Sequence, residues 1–437
     1  MAARKRRMRA LVAALAALLT IGFGAATGLG AFSGPSPQQI AAERAAERAA
    51  AQARVRARLL KQETAMASRA ATAVAVNLPD RIGARAPQTP PALFRRRLPR
   101  HLVLGYVPYW SLGALTPADY ADATVLAYYG VTIAPNGSLQ TGDPGWKGFQ
   151  SSAFSSLVAT AHRAGDRVLL TVTQDTPSSI AALLASPSAH AARLAAALVP
   201  LLRADRLDGI DIDIEGTKAS ERAAFVHFVG DLSTALKRVD PRGELVLDTY
   251  PQSAVDHGFF AISSLAPLVS QLFVMGYDMQ SNAAATPNAP LASPSLGLSD
   301  VQTLLQYGAV VSPAKLILGV PFYGYDFTTI DETPGAPTLK RDPVAVTYAQ
   351  IVSAAHPAYW DPGSSTPYTR FHFQGSDHQT WYDNPVSIAL KTALAMDEHL
   401  AGVGAWAFGA EGSQQAMLRA LDGPQPPAKL PLIPPAP

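Results

Sequence analysis

The sequence predicts an α/β protein: a (β/α)8 barrel of the TIM type, with a small α+β insertion between its seventh and eighth strands. Three observations predict it. Between residues 101 and 423, short apolar runs alternate with helical stretches, the pattern of a parallel sheet joined by crossover helices. One run, Leu207 to Glu215, reads LDGIDIDIE and sets isoleucines and acids at alternate positions. Residues 325–385 then break the alternation with Tyr, Trp, His and Pro-Gly turns that lack helical periodicity, which marks an inserted subdomain.

At the N-terminus, RKRRMR (Arg4 to Arg9) precedes an apolar run of 23 residues, Ala10 to Phe32. A basic flank before such a run is the export pattern, and the run is long enough to span a bilayer. Residues 1–34 are therefore expected to be a signal peptide or an uncleaved membrane anchor with its basic end inside, the rest of the chain being extracellular or at the cell surface. Residues 35–100 follow as a stalk and linker. AAERAAERAAAQARVRARLL favours a basic, solvated helix. The prolines between 79 and 100, with Arg95-Arg96-Arg97, read as linker without regular structure. Residues 424–437 form a Pro-rich tail.

The eight strand runs are Leu102–Tyr109, Thr124–Ile133, Arg167–Thr173, Leu207–Glu215, Glu244–Tyr250, Gln271–Asp278, Lys315–Gly324 and Gly402–Gly409. They define an expected catalytic barrel over 101–423. The first 100 residues hold 18 of the 36 Lys and Arg but only 4 of the 33 Asp and Glu, so the net charge of +3 conceals an acidic globular part. That argues against nucleic acid as a partner of the folded domain, since phosphate binding needs clustered Lys and Arg. With no cysteine, thiolate catalysis, disulfides and zinc–cysteine sites are excluded.

Successive side chains of a strand point to opposite faces, so Asp211, Asp213 and Glu215 share one face and Ile210, Ile212 and Ile214 the other. In a barrel the isoleucines pack outward on helices and the acids line the bore, about 6–7 Å apart. Partly desolvated like charges at that spacing cannot all ionise comfortably, so at least one pKa rises. Glu215, last of the series at the C-terminal end of its strand, stands where a general acid belongs. Asp208 falls outside the alternation and is expected to hydrogen-bond at the start of the strand. Three other readings fit the run alone: an antiparallel edge with its acids in water, a calcium loop, and the Asp-x-Asp metal site of a nucleotide-sugar transferase.

The other strand ends favour the barrel. Asp208-Gly209-Ile210-Asp211-Ile212-Asp213-Ile214-Glu215 resembles the Asp-x-x-Asp-x-Asp-x-Glu signature of glycoside hydrolase family 18, the chitinase-like barrels. Met275-Gly276-Tyr277-Asp278 resembles that family's sixth strand, Leu318 to Gly324 its seventh and Gly402 to Trp406 its eighth, in the same order. HQTWYDNPVSIALKTALAMDEHLAGVGAWAFG is similar to the branch of bacterial spore-cortex and cell-wall hydrolases.

The resemblance implies substrate-assisted hydrolysis with no cofactor and no metal. Glu215 is implied as the acid, Asp213 as the residue that orients the substrate's acetamido group, Asp211 as its proton-sharing partner and Tyr277 as a donor to the acetamido oxygen. Trp406, Asp278, Met275, Tyr106 and Tyr323 are expected to bind substrate, while Asp208 and Gly209 complete the motif. Trp406 lies between Ala405 and Ala407, which leaves room beside its ring for a sugar face. Tyr106, Tyr109 and Trp110 either line the cleft or pack beneath a loop.

Two departures stand out. Thr171-Val172-Thr173-Gln174 replaces the Ser-x-Gly-Gly often found on the third strand, and Gly216 follows the acid where an aromatic residue is common. The expected partner is a glycan, chitin-like or peptidoglycan, with a slight preference for cell-wall glycan because the similar branch acts there and the basic stalk suits an anionic envelope. The membrane is a partner only through an uncleaved N-terminal segment, and a monomer is expected. The alternatives are an inactive chitinase-like carbohydrate-binding protein, against which Glu215, Asp213 and Tyr277 speak, and a metal-dependent glycosyltransferase.

Overall fold

The computed structural model describes residues 37–74, 78–87, 101–293 and 297–423. The signal or anchor segment, most of the Pro-rich linker and the tail lie outside the described residues. Two compact units divide at Arg56, and the second, from Ala57 onward, contains the barrel. Among the described residues no single helix is long and apolar enough to cross a membrane.

After a two-residue strand β1 (Ala84–Arg85), the barrel strands are β2 (Leu102–Pro108), β3 (Val125–Thr132), β4 (Arg167–Gln174), β5 (Gly209–Ile214), β6 (Glu244–Thr249), β7 (Gln271–Val274) and β8 (Leu316–Pro321). An insertion follows with β9 (Tyr323–Thr329), β10 (Val344–Thr347), β11 (Ala358–Asp361), β12 (Thr366–Phe373) and β13 (Ser376–Trp381), before β14 (Gly402–Trp406). All eight barrel strands pair in parallel and close in the order β14-β2-β3-β4-β5-β6-β7-β8. This is the (β/α)8 barrel that the alternation predicts.

Helices shield the outer face. In Arg222–Val239, Phe225, Phe228, Val229, Leu232 and Leu236 are buried at three- and four-residue spacing, the stripe an amphipathic helix turns to a core. Ile210, Ile212 and Ile214 join the same core from β5, each contributing roughly 1.5–3 kcal/mol by burial.

The insertion is an antiparallel sheet with one helix, Tyr348–Ser353, so it is the α+β element expected between the seventh and eighth barrel strands. It begins at Tyr323, two residues ahead of the expected boundary. Its own small core is Phe327, Tyr368 and Trp381, the last two stacked 4.6 Å apart.

The stalk differs from expectation. Residues 37–74 form one helix, but its C-terminal part is packed rather than solvated: Met66, Ala70 and Val74 are buried. Glu63 is 2% exposed. Its Oε1 accepts from the Ser293 amide at 2.6 Å and the Ser299 hydroxyl at 2.8 Å, and its Oε2 from Gln302 Nε2 at 3.0 Å. Arg69 pairs with Asp397 and Glu398. Met66, Ala70 and Val74, at four-residue spacing, lie on one face of the helix, and the donors around Glu63 compensate its burial. The linker too holds regular structure, because β1 pairs with β11 and extends the insertion sheet.

Candidate active site

The bore is built by alternation. On β5 the isoleucines face the helices, and Asp211 and Asp213 turn inward, both buried, with Glu215 following at the mouth. Thr171 on β4 donates its hydroxyl to Asp211 Oδ2 at 2.9 Å. Across the bore Tyr106 on β2 donates to Asp248 Oδ1 on β6 at 2.6 Å. Among the described residues, no ion pair reaches Asp211, Asp213, Glu215 or Asp248.

Desolvation without a compensating cation favours the neutral form of each acid. Burial pushes Asp211 up to about 6, against hydrogen bonds that hold its charge. Asp213 and Asp248 stand well above the usual carboxylate range, first from burial and then from each other's acidic neighbours. Glu215 is raised by burial, then by Asp175 and Asp278, while a hydrogen bond with Tyr250 opposes the rise. Burial and mutual repulsion therefore favour the neutral forms across the cluster, and Glu215 is the member nearest the opening.

A second group comes from the turn after β7. That strand ends at Val274, and after the Met275 amide bonds the Thr249 carbonyl at 2.9 Å, Gly276-Tyr277-Asp278 leaves the ladder that the sequence run extended to Asp278. The Tyr277 amide bonds back to the Met275 carbonyl at 2.8 Å, and Asp278 adopts φ 57°, a left-handed conformation that a strand excludes. Asn288 fixes this turn by accepting from the Asp278 amide at 2.8 Å. The Tyr323 and Tyr325 hydroxyls donate to Asp278 Oδ1 at 2.6 and 2.9 Å. The turn brings the Tyr277 ring to 6.0 Å from Tyr323 and its phenol into the field of Asp248, Asp278, Asp213 and Glu215. Burial holds that phenol far above its ordinary pKa, so it remains a proton donor. Met275 is half-buried against the bore cluster.

Opposite the acids stands an aromatic wall. Trp406, at the end of β14, has its ring 4.6 Å from Tyr129, 5.5 Å from Tyr106 and 6.4 Å from Trp110. Trp110 is 60% exposed. An exposed aromatic face opposite hydrogen-bonding carboxylates matches a sugar, which has an apolar ring face and hydroxylated edges.

Comparison with known proteins gives the same answer as this geometry. The family model described as glycosyl hydrolases family 18 matches residues 102–411, which span the whole barrel and its insertion. The chain belongs to glycoside hydrolase family 18. It is 31% identical over 233 residues to di-N-acetylchitobiase of Mus musculus, covering 48% of this chain and 62% of that protein. In fold it resembles a family 18 chitinase from Cycas revoluta, solved as a mutant in complex with (GlcNAc)4, at 20% identity and a TM-score of 0.65. That match covers 74% of this chain and 99% of the other. The Bacillus cereus spore cortex-lytic enzyme SleL aligns at 17% identity and a TM-score of 0.60, covering 74% of each chain.

Within this family 18 site, Tyr106 departs from its expected place. It is 1% exposed beneath Trp406, and its hydroxyl is engaged by Asp248. It holds the carboxylates from below rather than offering a surface to substrate. Asp208 ties the start of β5 to β4: its Oδ2 accepts from the Val168 amide at 2.8 Å and lies 3.0 Å from His162 Nε2. Gly209 permits close strand contact, since a Cβ there would meet the Glu244 carbonyl oxygen at 2.2 Å. Gly216 is equally constrained, as a Cβ would fall 2.3 Å from the Phe259 ring, so Phe259 covers the position where an aromatic side chain is common. On β4, Gln174 braces the altered third strand by donating to the Ile133 carbonyl at 2.6 Å.

Sequence reasoning missed several members: Asp248 on β6 and Tyr250 just after it, Tyr129 on β3, Asn288 after β7 and Asp175 after β4. The run ELVLDTY carried a signal, since Asp248 and Tyr250 share one strand face and Asp248 interrupts an otherwise apolar run.

Proposed function

We propose that this chain is a retaining glycoside hydrolase that cleaves β-1,4 linkages of N-acetylglucosamine-containing glycans, using the substrate's own acetamide as nucleophile. The observation that carries the reading is the pairing of a raised Glu215 at the barrel mouth with a buried Asp213 two residues earlier, and no cation paired with either among the described residues. Glu215 gives its proton to the glycosidic oxygen as the C1–O bond breaks. The acetamido oxygen attacks C1 from the opposite face, and an oxazolinium forms. Asp213 accepts from the acetamido N–H and balances the positive charge, while Asp211 and Asp248 beneath it share the remaining protons. Tyr277 donates to the acetamido oxygen, Asp278 offers a polar contact at the rim, and Trp406 is the floor under the sugar. Water then attacks C1 and gives its proton to Glu215, which restores the acid and retains the configuration.

Chitin oligomers and peptidoglycan both present such bonds. The name of the mouse relative supports a chitin-type substrate, and the basic and then apolar run from Arg4 to Phe32 supports action outside the cytoplasm. The acid form is the active one, so activity falls as pH rises through the Glu215 pKa, which lies above the ordinary value of 4.5. Replacing Glu215 with Gln tests the assignment. Hydrolysis of a chromogenic N-acetylglucosamine oligomer should fall by about 10²–10⁴ in kcat while glycan binding survives. Undiminished turnover would overturn it.

A further inference from the structure

The strand register places one more carboxylate beside the acid. β4 and β5 pair Thr171 with Asp211, Thr173 with Asp213 and Gln174 with Ile214, and the Glu215 amide continues the ladder to the Gln174 carbonyl at 3.0 Å. Alternate residues of β4 face the bore: Leu169 lies in the bore cluster and Thr171 bonds Asp211. Asp175 is the next residue of that series after Thr173, one step past the paired strand and level with Glu215. The Gln174 side chain points the other way, bonding the Ile133 carbonyl and accepting from the Thr176 amide at 2.9 Å, and so fixes the direction of the turn. Asp175 itself is exposed and receives a hydrogen bond from the Thr176 hydroxyl at 3.2 Å.

Its charge is felt on three sides of the barrel mouth. Tyr129 on β3, Asp213 on β5 with Glu215 just after it, and Tyr250 after β6 all lie in the field of Asp175. The other charged and titratable groups around Glu215 are Asp278 and Tyr277 after β7 and Asp248 beneath. Among the described residues, no Lys or Arg figures among the groups that act on Asp213 or Glu215. The mouth is thus acidic where the cleaved bond must sit.

Resting on the reading of the site as a glycan hydrolase, we propose that Asp175 is a specificity-determining residue, whose carboxylate makes the cleft select uncharged N-acetylglucosamine strands over strands whose sugars bear carboxylates. A chitin-type strand is neutral at every unit. A peptide-free strand containing muramic acid carries a lactyl carboxylate on alternate units, and in a productive complex one of these approaches the acid. Unit like charges about 6 Å apart in a water-rich cleft disfavour binding by roughly 3- to 10-fold. The slight preference for cell-wall glycan drawn from the sequence is thereby reversed for acidic strands.

The test compares two inhibitors of chromogenic N-acetylglucosamine oligomer hydrolysis: a peptide-free GlcNAc–MurNAc tetrasaccharide and the same glycan with its lactyl carboxylates amidated. The amidated form should compete about 3- to 10-fold better against the wild-type chain, and added salt should narrow the gap. In Asp175→Asn the ratio should fall toward one, through a lower inhibition constant for the acidic glycan alone. An unchanged ratio in Asp175→Asn, or equal competition in the wild type, overturns the inference. Failure of the chain to hydrolyse the chromogenic oligomer at all would instead overturn the functional reading on which it rests.

Discussion

Two carboxylate clusters lie back to back in this molecule, and they differ in one respect. In the bore, Asp211, Asp213, Glu215 and Asp248 are packed among tyrosines and a threonine with no ion pair to any of them among the described residues. Behind the Met275–Asp278 turn, Asp300 and Asp383 surround Lys391, whose Nζ lies 2.6 Å from Asp383 and 3.8 Å from Asp300, all three side chains fully buried. The turn lies against this second cluster, since a Cβ on Gly276 would fall 2.7 Å from Asp300 Oδ1. Burial alone therefore does not mark a catalytic carboxylate. Lys391 opposes but does not cancel the rise that burial imposes on Asp300, which still stands well above the usual carboxylate range; what sets this cluster apart is the buried cation that ties its acids together, which the bore lacks among the described residues.

The comparison can be broken most forcefully from the outer cluster. Lys391→Ala should cost about 3–5 kcal/mol of stability in urea denaturation, because it strands two buried carboxylates; a loss below about 1 kcal/mol would show that the lysine fastens nothing. Next comes the bore itself. A folded-state pKa raised from 3.8 to about 6 means that Asp211 is more easily charged in the unfolded chain, so the domain loses up to about 3 kcal/mol as pH rises across that window. Glu411, buried and pushed up to about 8, extends the same slope to higher pH. Urea midpoints at pH 4 and pH 8 should differ in that direction, and Asp211→Asn should flatten the difference; greater stability at pH 8 would contradict it. A smaller effect is expected at Glu63→Ala, about 1–3 kcal/mol, for the donors left by Ser293, Ser299 and Gln302. A free energy within error of the wild type would return the helix to the role of a passive stalk. The least change of all should follow EDTA: activity is expected to persist, and a loss restored by a divalent ion would place a cation in the bore and erase the contrast.

How much of this was legible depended on whether the residues that meet are near in sequence. The acid ladder could be read because a strand's twofold period is local, and IDIDIE names both the bore and its outer wall. Asp248 and Tyr129 were not paired with it because they meet it across strands: β6 adjoins β5 in the sheet and β3 lies two strands away, each tens of residues off in sequence. Tyr106 misled for a related reason: its position at a strand end suits a sugar contact, but Trp406 from β14 covers it. The stalk failed on composition. Ala, Arg and Glu favour a solvated helix, yet Met66, Ala70 and Val74 are buried along one side of it, and Glu63 bonds Ser293, Ser299 and Gln302 more than two hundred residues away. The Met275–Asp278 turn was read as strand because its departure depends on the left-handed Asp278 and on Asn288, neither of which an apolar run announces.

The short pairing of Ala84 and Arg85 with Tyr359 and Trp360 carries a practical consequence. It covers the outer edge of β11, the last strand on that side of the insertion sheet. A version trimmed to the family match at residue 102 would bare that edge along with the seat of Glu63, and an unpaired strand edge is a template on which another copy can add. Such a fragment would be expected to fail in the test tube by self-association while its catalytic machinery remained chemically whole.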